Sequence, residues 1–111
     1  MKSRIVVTGI GAVTPLGNSV ASFWEALVAG RSGAAPITRF DTTNLETKFA
    51  AEVKDFDPLN AMDRKDARRS ARVVHYTVAA AREAVAQACL HVDDYIRDRV
   101  GVVIGTAVGG V

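Results

Sequence analysis

Residues 62–90, MDRKDARRSARVVHYTVAAAREAVAQACL, hold no Gly or Pro and are rich in Ala and Arg. The run predicts one long helix with Asp63 as its N-cap. Ala67, Ala71, Val74, Val78, Ala81, Val85 and Ala88 recur in alternating steps of four and three. At the helical period they fall within an arc of roughly 100°, the width of a core-facing stripe. Arg64, Lys65, Arg68, Arg69 and Arg72 occupy about 140° of the opposite side. A chain built on this helix must supply a layer to cover its stripe, and it presents a basic cluster at the helix start.

That cluster sits where isolated-helix physics disfavours it. The positive end of the macrodipole meets Arg64 and Lys65 at about 0.3–1 kcal/mol each when exposed. The like-charge pairs 64/68, 65/69 and 68/72 cost roughly 0.2–0.5 kcal/mol each. Asp63 and Asp66 offset part of this. A solvated helix face and a binding face for an anionic partner are both open readings. The formal net charge of +2 conceals the asymmetry. Residues 64–72 carry five bases and one acid, or +4, and the other nine bases and eleven acids give −2. A nucleic-acid binder is basic over a whole face and adds stacking aromatics, a pattern missing here.

At 49% hydrophobic and 23% charged, the composition is that of a soluble globular protein. Cys89 is the single cysteine, which excludes an internal disulfide and points to a reducing compartment. The opening MKSRIVVTGIGAV reads as a buried strand entering a Gly turn rather than as a leader peptide. The apolar run 100–111 is Gly-broken and too short to span a bilayer. The expected localisation is cytoplasmic, with no membrane span.

Residues 4–9, RIVVTG, have the β-branched, non-alternating pattern of a central strand covered on both faces. Gly9 and Gly11 begin a G-x-G-x-x-G pattern, but its third position is Thr14 and Pro15 follows where a helix would run. A tight turn is therefore expected, not a phosphate cradle. Asn18 or Ser19 caps the next helix, which Gly30 ends. Val20, Phe23, Trp24, Leu27 and Val28 form its core stripe, with Phe23 and Trp24 as anchors. Residues 31–63 are irregular apart from a short strand over 48–53, with Phe49, Ala51 and Val53 on one face. A second buried strand is expected at 101–105, followed by a Gly-rich loop at its carboxyl end, where α/β sheets bind ligands. The order predicts α/β layering on parallel strands. Two strands and a few helices cannot enclose these apolar faces, so the 111 residues are expected to be the leading part of a larger domain.

RIVVTGIGAVTPLGNSVASFWEALVAGRSG, TRFDTTNLETKFAAEVKDF, MDRKDARRSARVVHY and RVGVVIGTAVGGV resemble, in order and spacing, the amino-terminal quarter of the β-ketoacyl-acyl-carrier-protein synthases. The likeness is strongest to the elongating condensing enzymes of bacterial fatty-acid synthesis and covers essentially the whole chain. It implies an α/β, thiolase-like layered α-β-α-β-α architecture, incomplete in this chain, and a homodimer. It implies an acyltransferase that condenses malonyl-carrier with an acyl group held on a Cys thiolate, with loss of CO2 and two His as stabilising donors. No cofactor of its own is implied, since the substrate rides on the phosphopantetheine arm of acyl carrier protein.

The same resemblance assigns Arg64, Lys65, Arg68 and Arg69 to the docking patch for the acidic carrier protein. It assigns Val108 to the acyl-chain pocket. The family's Cys, both His and nearby Lys fall beyond residue 111, so no catalytic residue is expected within this chain and the fragment alone is expected to be inactive. Cys89, without a basic neighbour, reads as a buried structural thiol. His75 and His91 match no catalytic position, and two such His are no metal site. Three further readings stand beside the fatty-acid enzyme: a polyketide ketosynthase or its chain-length partner subunit, a non-catalytic carrier-binding module, and a generic nucleic-acid binder.

Overall fold

The structure, a computed structural model, describes residues 2–110. It divides into two compact units, one of residues 12–57 and one that joins residues 2–11 to 58–110.

In the first unit, Thr14 to Gly17 form a tight turn: Thr14 N donates to Gly17 O at 2.9 Å, and Gly17 N returns to Thr14 O at 3.2 Å. Helix α1 spans Val20–Val28. Its N-cap is Ser19, whose Oγ accepts from Ser22 N at 3.2 Å while Ser22 Oγ accepts from Ser19 N at 3.2 Å. This reciprocal box satisfies donors that a helix start leaves unpaired. The helix ends in a Schellman motif, with Gly30 at φ +67°, Gly30 N on Leu27 O and Arg31 N on Ala26 O, both at 3.0 Å. Strand β1, Ala35–Pro36, pairs antiparallel with β2, Phe49–Ala50, with Ala35 opposite Ala50. The strand expected over 48–53 is thus shorter, and of the face expected to carry Phe49, Ala51 and Val53 the first two are exposed.

The α1 stripe is also corrected. Ala26 is the buried residue of the helix, Phe23 is half-buried, and Trp24 is 62% exposed. Cover reaches the Phe23–Ala26 flank, and the Trp24–Val28 flank stays open. Trp24 is therefore not an anchor in this unit.

Beyond the hairpin, Glu52 ties its return limb to Thr38 and Arg39. Its Oε2 accepts from Thr38 Oγ1 at 2.8 Å and Thr38 N at 3.2 Å, and Arg39 Nε lies 3.8 Å from Oε1. The hydroxyl of Thr38, together with its amide and the Arg39 charge, holds the Glu52 carboxyl below its ordinary pKa.

In the second unit, a 3-10 turn at Pro58–Asn60 leads through the buried Ala61 to α2, Arg64–Arg69. Asp63 is its N-cap, and its Oδ1 accepts from Asp66 N at 2.8 Å. Helix α3 follows over Arg72–Gln87. The single long helix expected from the sequence is therefore two. Ser70 (φ −112°, ψ 150°) and Ala71 (φ −73°, ψ 160°) are extended, and Ser70 Oγ donates to Asp66 O at 2.6 Å. A serine hydroxyl that bonds the carbonyl four residues back competes with helix continuation. Continuing the helix would also repeat the like-charge contacts of its first turns.

Gly9 and Gly11 lie against α3. A methyl at Gly9 would overlap Ala84 O, and one at Gly11 would overlap Ala80 O. The glycines permit this close backbone approach, which accounts for the G-x-G spacing without any phosphate. Ile10 N donates to Gln87 Oε1 at 2.7 Å between them. The helix is thus covered on its Ala80–Ala84 side. Ala81, Val74 and Val85 of the expected core stripe are exposed.

The expected strands at 4–9 and 101–105 lie outside any helix or strand, with Ile5 97% and Val103 99% exposed. The paired strands among the described residues are β1 and β2, so the expected parallel layering is not formed here. A β-branched run becomes a strand through its ladder partners, and neither segment has one. Cys89 is exposed, not buried. With φ +50° it occupies the C′ position of a second Schellman motif, where Cys89 N bonds Ala86 O at 3.1 Å and Leu90 N bonds Val85 O at 3.2 Å. Among the described residues no helix is long and apolar enough to cross a membrane.

Candidate functional site

Helix α2 carries Arg64, Lys65, Arg68 and Arg69, all exposed, and the four side chains line one shallow depression. Among the described residues none of them has an ion-pair partner within 4.0 Å. Of the nearest acids in sequence, Asp63 spends a carboxylate oxygen on the cap that starts the helix, accepting from the backbone amide of Asp66. Four unneutralised cations on less than two turns make a field that attracts an anionic surface. They present donors only, with no nucleophile or general base among them.

The break at Ser70 improves the placement of two of these charges. Arg68 and Arg69 fall in the last turn of a short helix, where the carbonyl ends favour cations. Arg64 and Lys65 remain at the disfavoured end. His75 holds the break from the other side, with Nε2 at 3.0 Å from Ala67 O. Sequence reading passed over this His because it matched no catalytic position. Its eight-residue offset from Ala67 becomes a contact only once the helix is broken.

A second concavity, of about 490 Å³, adjoins the break and is lined by residues that include Met62, Asp66, Arg69, Val74, Val78 and Arg82. Farther along α3, Val78, Ala81, Val85, Cys89 and Leu90 line an open apolar surface beside His91. Val108 is 79% exposed on the Gly-rich loop, and the next residue, Gly109, lies beside Val73 of α3. The four basic residues are thus brought together, whereas Val108 lines neither concavity. Among the described residues no three His, Cys, Asp or Glu side chains cluster closely enough to hold a metal ion.

Among the described residues the chain thus presents a compact group of exposed cations on α2 beside large uncovered apolar side chains. The family described as beta-ketoacyl synthase, N-terminal domain, matches residues 2–111, and the chain belongs to it. It is 46% identical over 109 residues to the 3-oxoacyl-[acyl-carrier-protein] synthase 2 of Synechocystis, and equally to that of Coxiella burnetii. Each alignment takes in 98% of this chain and 26% of the relative. The Staphylococcus aureus (strain N315) protein of the same name is 44% identical over 107 residues, 96% of this chain and 26% of its own length. The chain therefore spans about a quarter of the curated relatives it matches. Among solved structures, "The ishigamide ketosynthase/chain length factor" superposes with a TM-score of 0.67 at 43% identity, over 78% of this chain and 21% of that one. The fold is accordingly part of a ketosynthase fold.

Proposed function

We propose that this chain is the amino-terminal part of a 3-oxoacyl-[acyl-carrier-protein] synthase of fatty-acid elongation. The carrying observation is identity of 44–46% to synthases of that name along 96–98% of the chain. In the complete enzyme an acyl group is held as a thioester on a Cys outside this chain. Malonyl-carrier loses CO2, and the resulting carbanion attacks the acyl carbonyl. The tetrahedral intermediate then expels the Cys thiolate, leaving a 3-oxoacyl-carrier two carbons longer. Acyl carrier protein brings the substrate on its own phosphopantetheine arm, so the enzyme needs no cofactor. It acts in the cytoplasm as a homodimer.

Within this scheme residues 4–9 and 101–105 are strands of a thiolase-like α-β-α-β-α core. Their exposed β-branched side chains support that reading, as does the close seat of Gly9 and Gly11 on α3. Arg64, Lys65, Arg68 and Arg69 form the carrier-docking face, a role supported by their exposure and lack of internal ion pairs. Val108 lines the acyl pocket and influences chain length.

The test uses the full-length protein with acyl-carrier and malonyl-carrier, and mass spectrometry of the carrier-bound product. A 3-oxoacyl product extended by two carbons is expected, and no condensation overturns the assignment. Arg68→Glu with Arg69→Glu weakens carrier affinity, and unchanged affinity removes the docking role. The 43% identity to a ketosynthase/chain length factor supports a second reading, a polyketide-type subunit. Repeated extension on one carrier, or a protein that is never acylated, decides for it.

A further inference from the structure

We propose that His75 is a positioning residue for the basic face of α2, acting through the hydrogen bond from its ring to the Ala67 carbonyl. The inference rests on reading that face as the carrier-docking surface. Helix α2 has six residues, fewer than an isolated helix needs to persist in water, and four of them are cations. Something outside the helix must order it. Its N-terminus is closed by Asp63, and the carbonyl of Asp66 is closed by Ser70, through both Ser70 N at 3.0 Å and Ser70 Oγ at 2.6 Å.

The carbonyl of Ala67 is different. In a continuous helix it would accept from Ala71 N, but the extended backbone at Ser70 and Ala71 ends that ladder. His75, in the first turns of α3, reaches back across the break and puts Nε2 at 3.0 Å from this oxygen. A carbonyl only accepts, so Nε2 carries the proton whatever the state of Nδ1. The ring is half-buried, which places the bond where water competes poorly. The imidazole thus closes the carboxyl end of α2 from α3. The carbonyl it holds belongs to the turn that carries Arg64, Lys65 and Arg68, none of which has an ion pair of its own to fix it.

The test compares His75→Phe, which keeps a ring without a donor, with His75→Gln, which keeps a donor without the ring, in the full-length enzyme. KM and kcat are measured with acyl-carrier and with a carrier-free acyl-pantetheine thioester. Loss of one hydrogen bond corresponds to roughly a two- to twelvefold change in an equilibrium. His75→Phe is expected to raise KM for the carrier substrate within that range, leaving kcat and the carrier-free substrate unchanged, and His75→Gln to restore it. Equal effects on both substrates, no effect, or no rescue by Gln each overturn the proposal. If His75→Phe does not fold, His75→Ala decides by the same criteria. Arg68→Glu serves as the control: if it too leaves carrier KM unchanged, the docking reading itself has failed. A response to Arg68→Glu but none to His75 variants refutes the positioning role alone.

Discussion

Replacing Gly11 with Ala tests how the amino-terminal segment meets α3. A methyl carbon built there overlaps Ala80 O and lies 2.7 Å from Ala80 C and 3.0 Å from Ala84 N, all of it helix backbone that no rotamer change can move aside. Widening 2.7 Å to the roughly 3.5–4.0 Å of ordinary carbon contact shifts the segment by about 1 Å. That stretches the 2.7 Å bond from Ile10 N to Gln87 Oε1 to about 3.7 Å, past hydrogen-bond range. Overpacking costs about 1–3 kcal/mol and the lost bond about 0.5–1.5 kcal/mol, so the expected loss is about 1.5–4.5 kcal/mol. Equilibrium urea unfolding of the full-length protein, followed by circular dichroism, measures it as a lower midpoint at unchanged slope. A midpoint equal to that of the wild type would refute the close-approach account of the G-x-G pattern.

Three further outcomes are expected. Cys89→Gly should stabilise the protein by about 1 kcal/mol, since Cys89 holds φ +50° at a C′ position that suits glycine; thermal unfolding that shows a loss would contradict the strain assignment. Glu52 has a depressed pKa in the fold, so its stabilisation is complete above the ordinary carboxylate range and is lost as pH falls below about 4. The difference in urea midpoint between wild type and Glu52→Gln should therefore be present at pH 7 and close towards pH 3, and a pH-independent gap rules this out. Val108→Phe in the full-length enzyme should shorten the longest acyl group accepted in a chain-length series, and an unaltered profile removes Val108 from the pocket.

The parts of the fold that sequence reading reached are those decided within a few residues. Ser19 and Gly30 mark the limits of α1 because a capping box and a Schellman motif are closed by local bonds. Asp63 is identified for the same reason. What escaped depends on distant partners. RIVVTG and GVVIG have strand composition, yet a strand exists only with a neighbour, and the pairing seen is instead between Ala35–Pro36 and Phe49–Ala50. The periodicity of α3 identifies two apolar sides no better than one. Residues 74, 78, 81 and 85 form the stronger stripe, but Ala80 and Ala84 meet the glycine segment, because only small side chains admit a backbone so close. The basic cluster was legible in position and sign. Its partition between two helices and the role of His75 were not, since both depend on Ser70 leaving the helix.

That departure also changes the electrostatic balance of the cluster. On one continuous helix Arg68 and Arg69 stand near the positive end, and Arg68 repels Arg72 one turn on, at about 0.2–0.5 kcal/mol. With α2 ending at Arg69, both stand at a negative end and gain about 0.3–1 kcal/mol each, and Arg72 begins a separate helix. Against this, α3 starts on Ala71 with no capping hydrogen bond from a hydroxyl or carboxylate, forgoing about 1 kcal/mol, with Arg72 at its disfavoured end. The charge gains and the capping loss nearly cancel. The break is therefore closed by two hydrogen bonds to backbone carbonyls, Ser70 to Asp66 and His75 to Ala67, rather than by ion pairing. A helix ordered in that way keeps its cations outward and unpaired, the arrangement on which the proposed carrier-docking role depends.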